Sequence, residues 1–201
     1  MKNEAWEQLT NAFGIEAGGL KLEGELVLEH RDSFEKAVAV LAKAPRIGAS
    51  GCGHTGIACR HFVHLMCCIE RPARFISPAE AVHGATGFLQ EGDAMLLASR
   101  GGKTAELLPI MEICRKKGAV IIGLTENAAS PLALDTDIFL PLRISRETDR
   151  FNTQGTTSFT VMCAVFDALQ AALIEETGFT TETFAIVHPG GAMGERLRNK
   201  S

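Results

Sequence analysis

The chain reads as an α/β domain: a doubly wound, flavodoxin-like sheet of five parallel strands, with helices on both faces and an N-terminal helical extension. Three observations predict it. After Pro45, short apolar stretches recur without polar alternation, as strands covered on both faces do. A helical pattern separates each stretch from the next, the grammar of parallel crossover connections. Two of the strands also run into Gly- and Ser-rich turns that open a helix, which is where such sheets bind ligands.

The elements follow in order. Residues 5–44 are helical by the spacing of Leu20, Leu22, Leu26 and Val27, then Phe34, Val38 and Leu41, with Glu and Lys between. Asp32 or Ser33 is expected to cap a helix that runs to about Lys43 and stops before Pro45. Residues 1–30 carry no strand and are expected to form an appendage on the domain or on another subunit, leaving 31–201 as the domain proper. Strands are predicted at Arg46–Ser50, Ala73–Ile76, Ala94–Ser99, Ala119–Thr125 and Asp137–Leu142. Helices are predicted at 55–69, 104–117 and 157–177, with a helical turn at Pro78–Ala81.

Composition narrows the class. A chain of 201 residues suits one domain with a substantial core, and 46% apolar with 22% charged residues is ordinary for a globular protein. The net charge is −4 and no basic run exceeds Arg115-Lys116-Lys117, which argues against a nucleic-acid surface. The six cysteines form no C-x-x-C pair, and most lie in apolar or helical runs, where Cys behaves as a small core residue. The start MKNEAWEQLTNAFGIEAGGL scatters acids and has no signal-type apolar stretch. No apolar run reaches the roughly 18 residues of a membrane helix. Free thiols in a reducing cytoplasm are therefore expected.

Two turns carry the chemistry. Ser50-Gly51-Cys52-Gly53-His54-Thr55-Gly56 follows the first strand; its glycines let a ligand approach the backbone, and the helix behind offers unpaired N–H groups suited to phosphate. It also fits Gly-x-Gly-x-x-Gly, but a nicotinamide site needs an acid at the end of the second strand, which here reads Phe75-Ile76-Ser77-Pro78. The second turn, Ser99-Arg100-Gly101-Gly102-Lys103-Thr104, brings two hydroxyls and two cations to a helix start. A helix cap needs one hydroxyl and explains neither the glycine pair nor the charge, so anion binding is favoured. The spacing is not that of a P-loop.

Acid–base candidates lie beyond the last strand. Glu147 and Asp149 are both carboxylate bases by position, yet on residues alone pairing with Arg146 or Arg150 is the stronger expectation for loop charges. His54 and His83 sit in or beside ligand turns, and His188 is held in Val187-His188-Pro189-Gly190-Gly191; imidazoles suit proton transfer near neutrality. His61 and His64 lack an acidic companion, so no metal site is expected.

These residues resemble the sugar-isomerase (SIS) family. The succession runs from Ser50-Gly51-Cys52-Gly53-His54-Thr55-Gly56 through Pro78-Ala79-Glu80-Ala81-Val82-His83-Gly84 to Ala98-Ser99, Gly102, Thr104 and Glu106. Glu147, Thr156-Thr157-Ser158 and the closing Phe184…His188-Pro189-Gly190-Gly191-Ala192-Met193-Gly194 make it similar to the arabinose-5-phosphate isomerase branch, over about residues 30–198. The resemblance implies an aldose–ketose isomerase that moves a proton between C1 and C2 of a phosphosugar through an enediol, with no cofactor. It implies Glu147 as the proton shuttle and His188 in ring opening. Ser50, Thr55, Ser99, Thr104 and Thr156 would hold phosphate and sugar hydroxyls; from the chemistry of the turns themselves, Gly51, Gly53, His83, Arg100 and Gly102 are expected beside them. It further implies homodimers or homotetramers with sites at subunit interfaces, where His83 or His188 serves a neighbour.

The chain departs from that branch at four places. His54 stands where Lys is usual and Lys103 where Glu is usual, which makes both candidate catalytic positions. Arg100-Gly101-Gly102 replaces Asn-Ser-Gly, and Ala85 replaces an Asp. Added cations would suit a more anionic ligand. The paired regulatory modules common in the branch do not lie within residues 1–201. A phosphosugar sensor without turnover, or deglycation or deamination of a phosphosugar, are the competing expectations.

Overall fold

Five short β-rich stretches each end at Gly, Ser, Thr or Pro, and the chain between them repeats a helical period, so a parallel sheet with crossovers is what these residues build. The computed structural model describes residues 1–198. Its strands are β1 (Ile47–Ser50), β2 (Ala73–Phe75), β3 (Ala94–Ala98), β4 (Val120–Thr125) and β5 (Ile138–Pro141), all parallel, in the order β2-β1-β3-β4-β5.

β3 is buried along its whole length yet divides its side chains by parity. Ala94, Leu96 and Ala98 join a core with Ala49 of β1, Ile122 and Leu124 of β4, and the helices α2 (Arg31–Lys43), α3 (Gly53–Cys68) and α7 (Thr157–Thr177). Met95 and Leu97 join the opposite core, with Ile121 and the helix α5 (Leu108–Lys117). Smaller pieces complete this second face: α4 (Pro78–Ala81), the 3₁₀ turn Ala85–Phe88 and α6 (Pro131–Leu134).

The N-terminal segment is one long helix, α1 (Asn3–Glu29), joined to α2 through His30. Neither Asp32 nor Ser33 caps α2: His30 holds the cap position, and its amide still bonds back to Leu26 and Val27, so the chain bends rather than starting a helix afresh. Only the second half of α1 is seated, at Gly19, Glu23 and Leu26. A Cβ on Gly19 would lie 2.7 Å from Cγ2 of Thr157, so glycine is what lets α1 approach α7.

The predicted helix 104–117 begins as a 3₁₀ turn, Ala105–Leu107, before α5 proper. α7 is long and apolar enough to cross a membrane by length and composition, with mean hydropathy 1.6, contrary to the sequence expectation. Here it is the central core helix: Val161, Met162, Val165, Phe166, Leu169 and Leu173 are buried, and Phe166 stacks 5.0 Å from Phe62 of α3. Two further helices, α8 (Thr181–Val187) and α9 (Gly191–Arg198), follow it and had no counterpart in the sequence reading.

Candidate functional site

The strand order reverses between β1 and β3, and the turns leaving these two strands meet there, as a doubly wound sheet requires of its ligand cleft. At the end of β1, Ser50 is buried and its Oγ has no hydrogen-bond partner among the described residues. Gly53 has φ +56°, and a Cβ on Gly56 would lie 2.6 Å from the Gly51 carbonyl, so the turn closes only with these glycines. No side chain caps α3, which leaves its first N–H groups facing the turn. Thr55 packs its methyl group toward Gly51. A cavity of about 380 Å³ opens here, lined by Gly51, Gly53, Arg60, Ser77 and Glu106 among others.

The turn after β3 is stitched by hydroxyls. Ser99 Oγ and Thr104 Oγ1 are 2.7 Å apart, and the Gly102 amide donates to Ser99 Oγ at 3.1 Å. Gly102 has φ +67°, and a Cβ there would fall 2.0 Å from Ser130 Oγ, so no other residue fits. Arg100 is anchored through its carbonyl, which accepts from Thr125 Oγ1 at 2.8 Å and from the Glu126 amide at 3.0 Å. Its guanidinium donates to Glu147 Oε1 at 2.5 Å and to Glu126 at 3.1 Å. Lys103, on the same turn, is exposed and has no ion pair among the described residues.

Glu147 itself is wholly buried. Its Oε2 accepts from the Thr156 amide at 2.8 Å, Thr156 Oγ1 at 3.2 Å and the Ser158 amide at 3.1 Å, at the N-terminus of α7. Burial pushes this carboxyl up, but hydrogen bonds from Ser158 and Thr156 and the Arg100 charge outweigh it and hold it below the ordinary glutamate value. The expected pairing with Arg146 or Arg150 is thus replaced by one with Arg100. Arg150 lies over the Phe151 ring instead.

Asp149, the other base by position, shapes the loop: it accepts from the amides of Phe151, Thr153 and Gln154, and these bonds, that of Gln154 first, hold it below its usual value. The His54 ring packs against Gly155 and edge-on to Phe159, which puts the imidazole beside the Thr156 end of the loop.

Six expected residues fall into two bonded groups: Ser99, Gly102 and Thr104 within the turn after β3, and Arg100, Glu147 and Thr156 across to the start of α7. His83 is exposed beyond α4, where its amide bonds Glu80. His188 packs on Phe184 with ring centroids 5.0 Å apart, and its Nδ1 is buried without a hydrogen-bond partner among the described residues. Among the described residues, no hydrogen bond or ion pair joins either histidine to these two groups. Three participants were missed: Glu126; Asn152, whose Oδ1 holds the Glu147 amide at 2.6 Å; and Ser158. Only Ser158 had a signal, as the third residue of Thr156-Thr157-Ser158 at the start of an apolar helix. Among the described residues, no group of three His, Cys, Asp or Glu is arranged to hold a metal.

Known proteins are similar to this chain in sequence and fold. A Listeria monocytogenes structure, described as a candidate sugar-phosphate isomerase, is 38% identical with a TM-score of 0.90, covering 94% of this chain and 100% of that one. An E. coli CFT073 structure in complex with A5P is 29% identical with a TM-score of 0.84, covering 94% and 100%. The arabinose 5-phosphate isomerase KdsD of Pseudomonas aeruginosa is 36% identical over 167 residues, which is 83% of this chain and 51% of that protein. The chain spans about half the length of the curated relatives it matches. Residues 40–172 match the SIS domain, and with these relatives that match makes the chain a member of the SIS domain family.

Proposed function

We propose that this chain is a sugar-phosphate isomerase that interconverts an aldose phosphate and a ketose phosphate through an enediol. The observation that carries this reading is the buried carboxylate of Glu147, bonded through Arg100 to the hydroxyl-rich turn after β3, in a chain whose relatives include arabinose 5-phosphate isomerases. In this reading the phosphate rests on Ser99 and Thr104, with Lys103 and the N–H groups at Gly51 and Gly53 adding positive potential. Ser50, Thr55 and Thr156 take sugar hydroxyls.

Glu147 accepts the proton from the carbon beside the carbonyl. The C–H electron pair becomes the C1–C2 double bond of the enediol, and the proton returns to the neighbouring carbon. His54 is the imidazole next to this loop and would move the hydroxyl proton. No cofactor enters this scheme.

Assembly belongs to the same proposal. Trp6, Leu9 and Phe13 are exposed along the unseated half of α1, an apolar stripe suited to a second copy. A homodimer or homotetramer would let His83 or His188 complete a neighbour's site. Six free cysteines suit the reducing cytoplasm proposed as its location.

The test is proton exchange by NMR in D₂O with a panel of pentose and hexose phosphates, since His54, Arg100 and Lys103 depart from the arabinose-5-phosphate isomerase pattern. Deuterium at C1 or C2, with aldose and ketose interconverting, is the expected result. Engagement of both Glu147 oxygens favours one alternative, a phosphosugar sensor without turnover. Ligand binding with no C–H exchange would select it.

A further inference from the structure

Glu147 as it stands has no oxygen to spare for a substrate carbon. Three donors hold Oε2, and two of them are backbone amides at the start of α7, which cannot withdraw without unwinding the helix. Oε1 differs: its recorded hydrogen bond comes from one side chain, Arg100. That side chain is 33% exposed, while its main chain is fixed by Thr125 and Glu126. The guanidinium is therefore the movable part of a rigid seat. On its far side Glu126 offers a second carboxylate at 3.1 Å, so leaving Glu147 does not strand the charge.

Arg100 also belongs to the turn whose Ser99 and Thr104 hydroxyls lie 2.7 Å apart. A phosphate anion seated there competes directly for the same guanidinium, and with two or more oxygens it can engage the planar fork bidentately.

We propose that Arg100 is a ligand-operated gate on Glu147: an anionic group on the Ser99–Thr104 turn draws the guanidinium from Oε1 and frees that oxygen. The proposal rests on the phosphate-binding reading of this turn and, for its catalytic consequence, on the isomerase reading. It makes Arg100 a positioning residue that couples phosphate binding to the base. A sugar lacking phosphate would then find the base still clamped, so discrimination arises in turnover as well as in affinity. The charged and titratable groups around Glu147 are Arg100 and, behind it, Glu126 on the β3 and β4 turns; Arg146 and Asp149 on its own loop; His54 across Gly155; and Lys103 beside Arg100.

The test reads Glu147 directly and needs no turnover. In protein carrying ¹³C at the Glu carboxyls, the Glu147 signal is assigned by its loss in Glu147→Gln and titrated with and without saturating inorganic phosphate. In wild type the midpoint is expected below the ordinary glutamate range and to rise by about one pH unit or more with phosphate, the loss of an adjacent opposite charge. In Arg100→Met it is expected to start higher than in wild type and respond little. An unchanged wild-type midpoint overturns the proposal, as does an equal response in Arg100→Met, which would mean the bound anion acts through space. Should Arg100→Met fail to fold, the wild-type guanidinium signals of Arg100 must still move in step with phosphate; if they stay still, the proposal fails. A responsive Glu147 without C–H exchange on any sugar phosphate would keep the gate and discard the isomerase.

Discussion

Among the described residues two glutamates are buried, one on the segment that leaves β5 and one on α1 against that segment, and they are held in opposite ways. Glu147 accepts four hydrogen bonds and faces Arg100, and it stays below its ordinary pKa. Glu23, on α1, is 3% exposed and accepts one recorded bond, from the Arg143 amide at 2.8 Å, while its Oε1 has no hydrogen-bond partner among the described residues. Burial pushes Glu23 up to about 7 against the weaker pull of Arg143. The Arg143 guanidinium goes instead to Glu29 at 2.8 Å. Burial raises both carboxyls; at Glu147 the hydrogen bonds and the Arg100 charge outweigh it, and at Glu23 the single bond from Arg143 does not.

The largest effect expected from breaking this contrast is at Glu147. Glu147→Gln should lower turnover by roughly 10²-fold or more, the usual scale of lost acid–base catalysis, with phosphosugar binding retained by calorimetry. An amide cannot accept on both sides as a carboxylate does, so thermal unfolding must be followed in parallel. Full activity in this variant would take Glu147 out of the mechanism.

Next comes the seat of its partner. At Gly102 an added Cβ would meet Ser130 Oγ at 2.0 Å and Thr125 Oγ1 at 2.8 Å, the latter being the hydroxyl that anchors Arg100. Gly102→Ala should cost about 2–5 kcal/mol in urea unfolding, from the left-handed backbone and the overlap together. Gly101→Ala, with nothing within 4 Å, should change stability by about 0.5 kcal/mol or less. Equal effects at the two positions would show that the turn does not hold this shape.

Glu23 supplies the opposite sign. Its folded pKa lies above the unfolded value of 4.5, so the native state binds the extra proton between about 4.5 and 7 and loses stability as pH rises through that window. The shift corresponds to roughly 3 kcal/mol at about 1.4 kcal/mol per unit, an upper figure for the cost of charging it. Glu23→Gln should therefore gain on wild type in melting temperature from pH 5 to pH 8. A variant that tracks wild type at every pH would mean that Glu23 ionises at no cost, contrary to its unpaired oxygen.

How far such features could be read from the chain depends on how local their causes are. All five strands were legible because Gly, Pro and Ser punctuate each apolar stretch, and the Ser99–Thr104 turn because hydroxyls, glycines and cations crowd into six residues. The partner of Glu147 was not: Arg100 lies 47 residues away, while Arg146 and Arg150 stood next door and were preferred for that reason. Glu23 looks like any other acid on α1, since its contact with the Arg143 amide, 120 residues on, leaves no local mark. The bend at His30 was mistaken for a fresh start because Asp32 and Ser33 are good caps that a continuing helix does not need.

The smallest expected effect concerns how Glu147 divides its donors. Thr156 Oγ1 donates to Oε2 at 3.2 Å, the longest of the recorded bonds to the carboxylate, and accepts from Thr148 Oγ1 and the Thr148 amide. Thr156→Val removes this hydroxyl and keeps its shape, for a loss of about 1 kcal/mol near pH 7. Because the Glu147 pKa is lowered, its stabilising contribution is present above the unfolded value of 4.5 and fades as pH falls through the folded one. The deficit of Thr156→Val should therefore shrink in acid, whereas a loss arising only at Thr148 would be the same at every pH. Urea unfolding at pH 7 and pH 3.5 separates the two, and a constant difference would show that the Thr156 hydroxyl serves the loop rather than the charge.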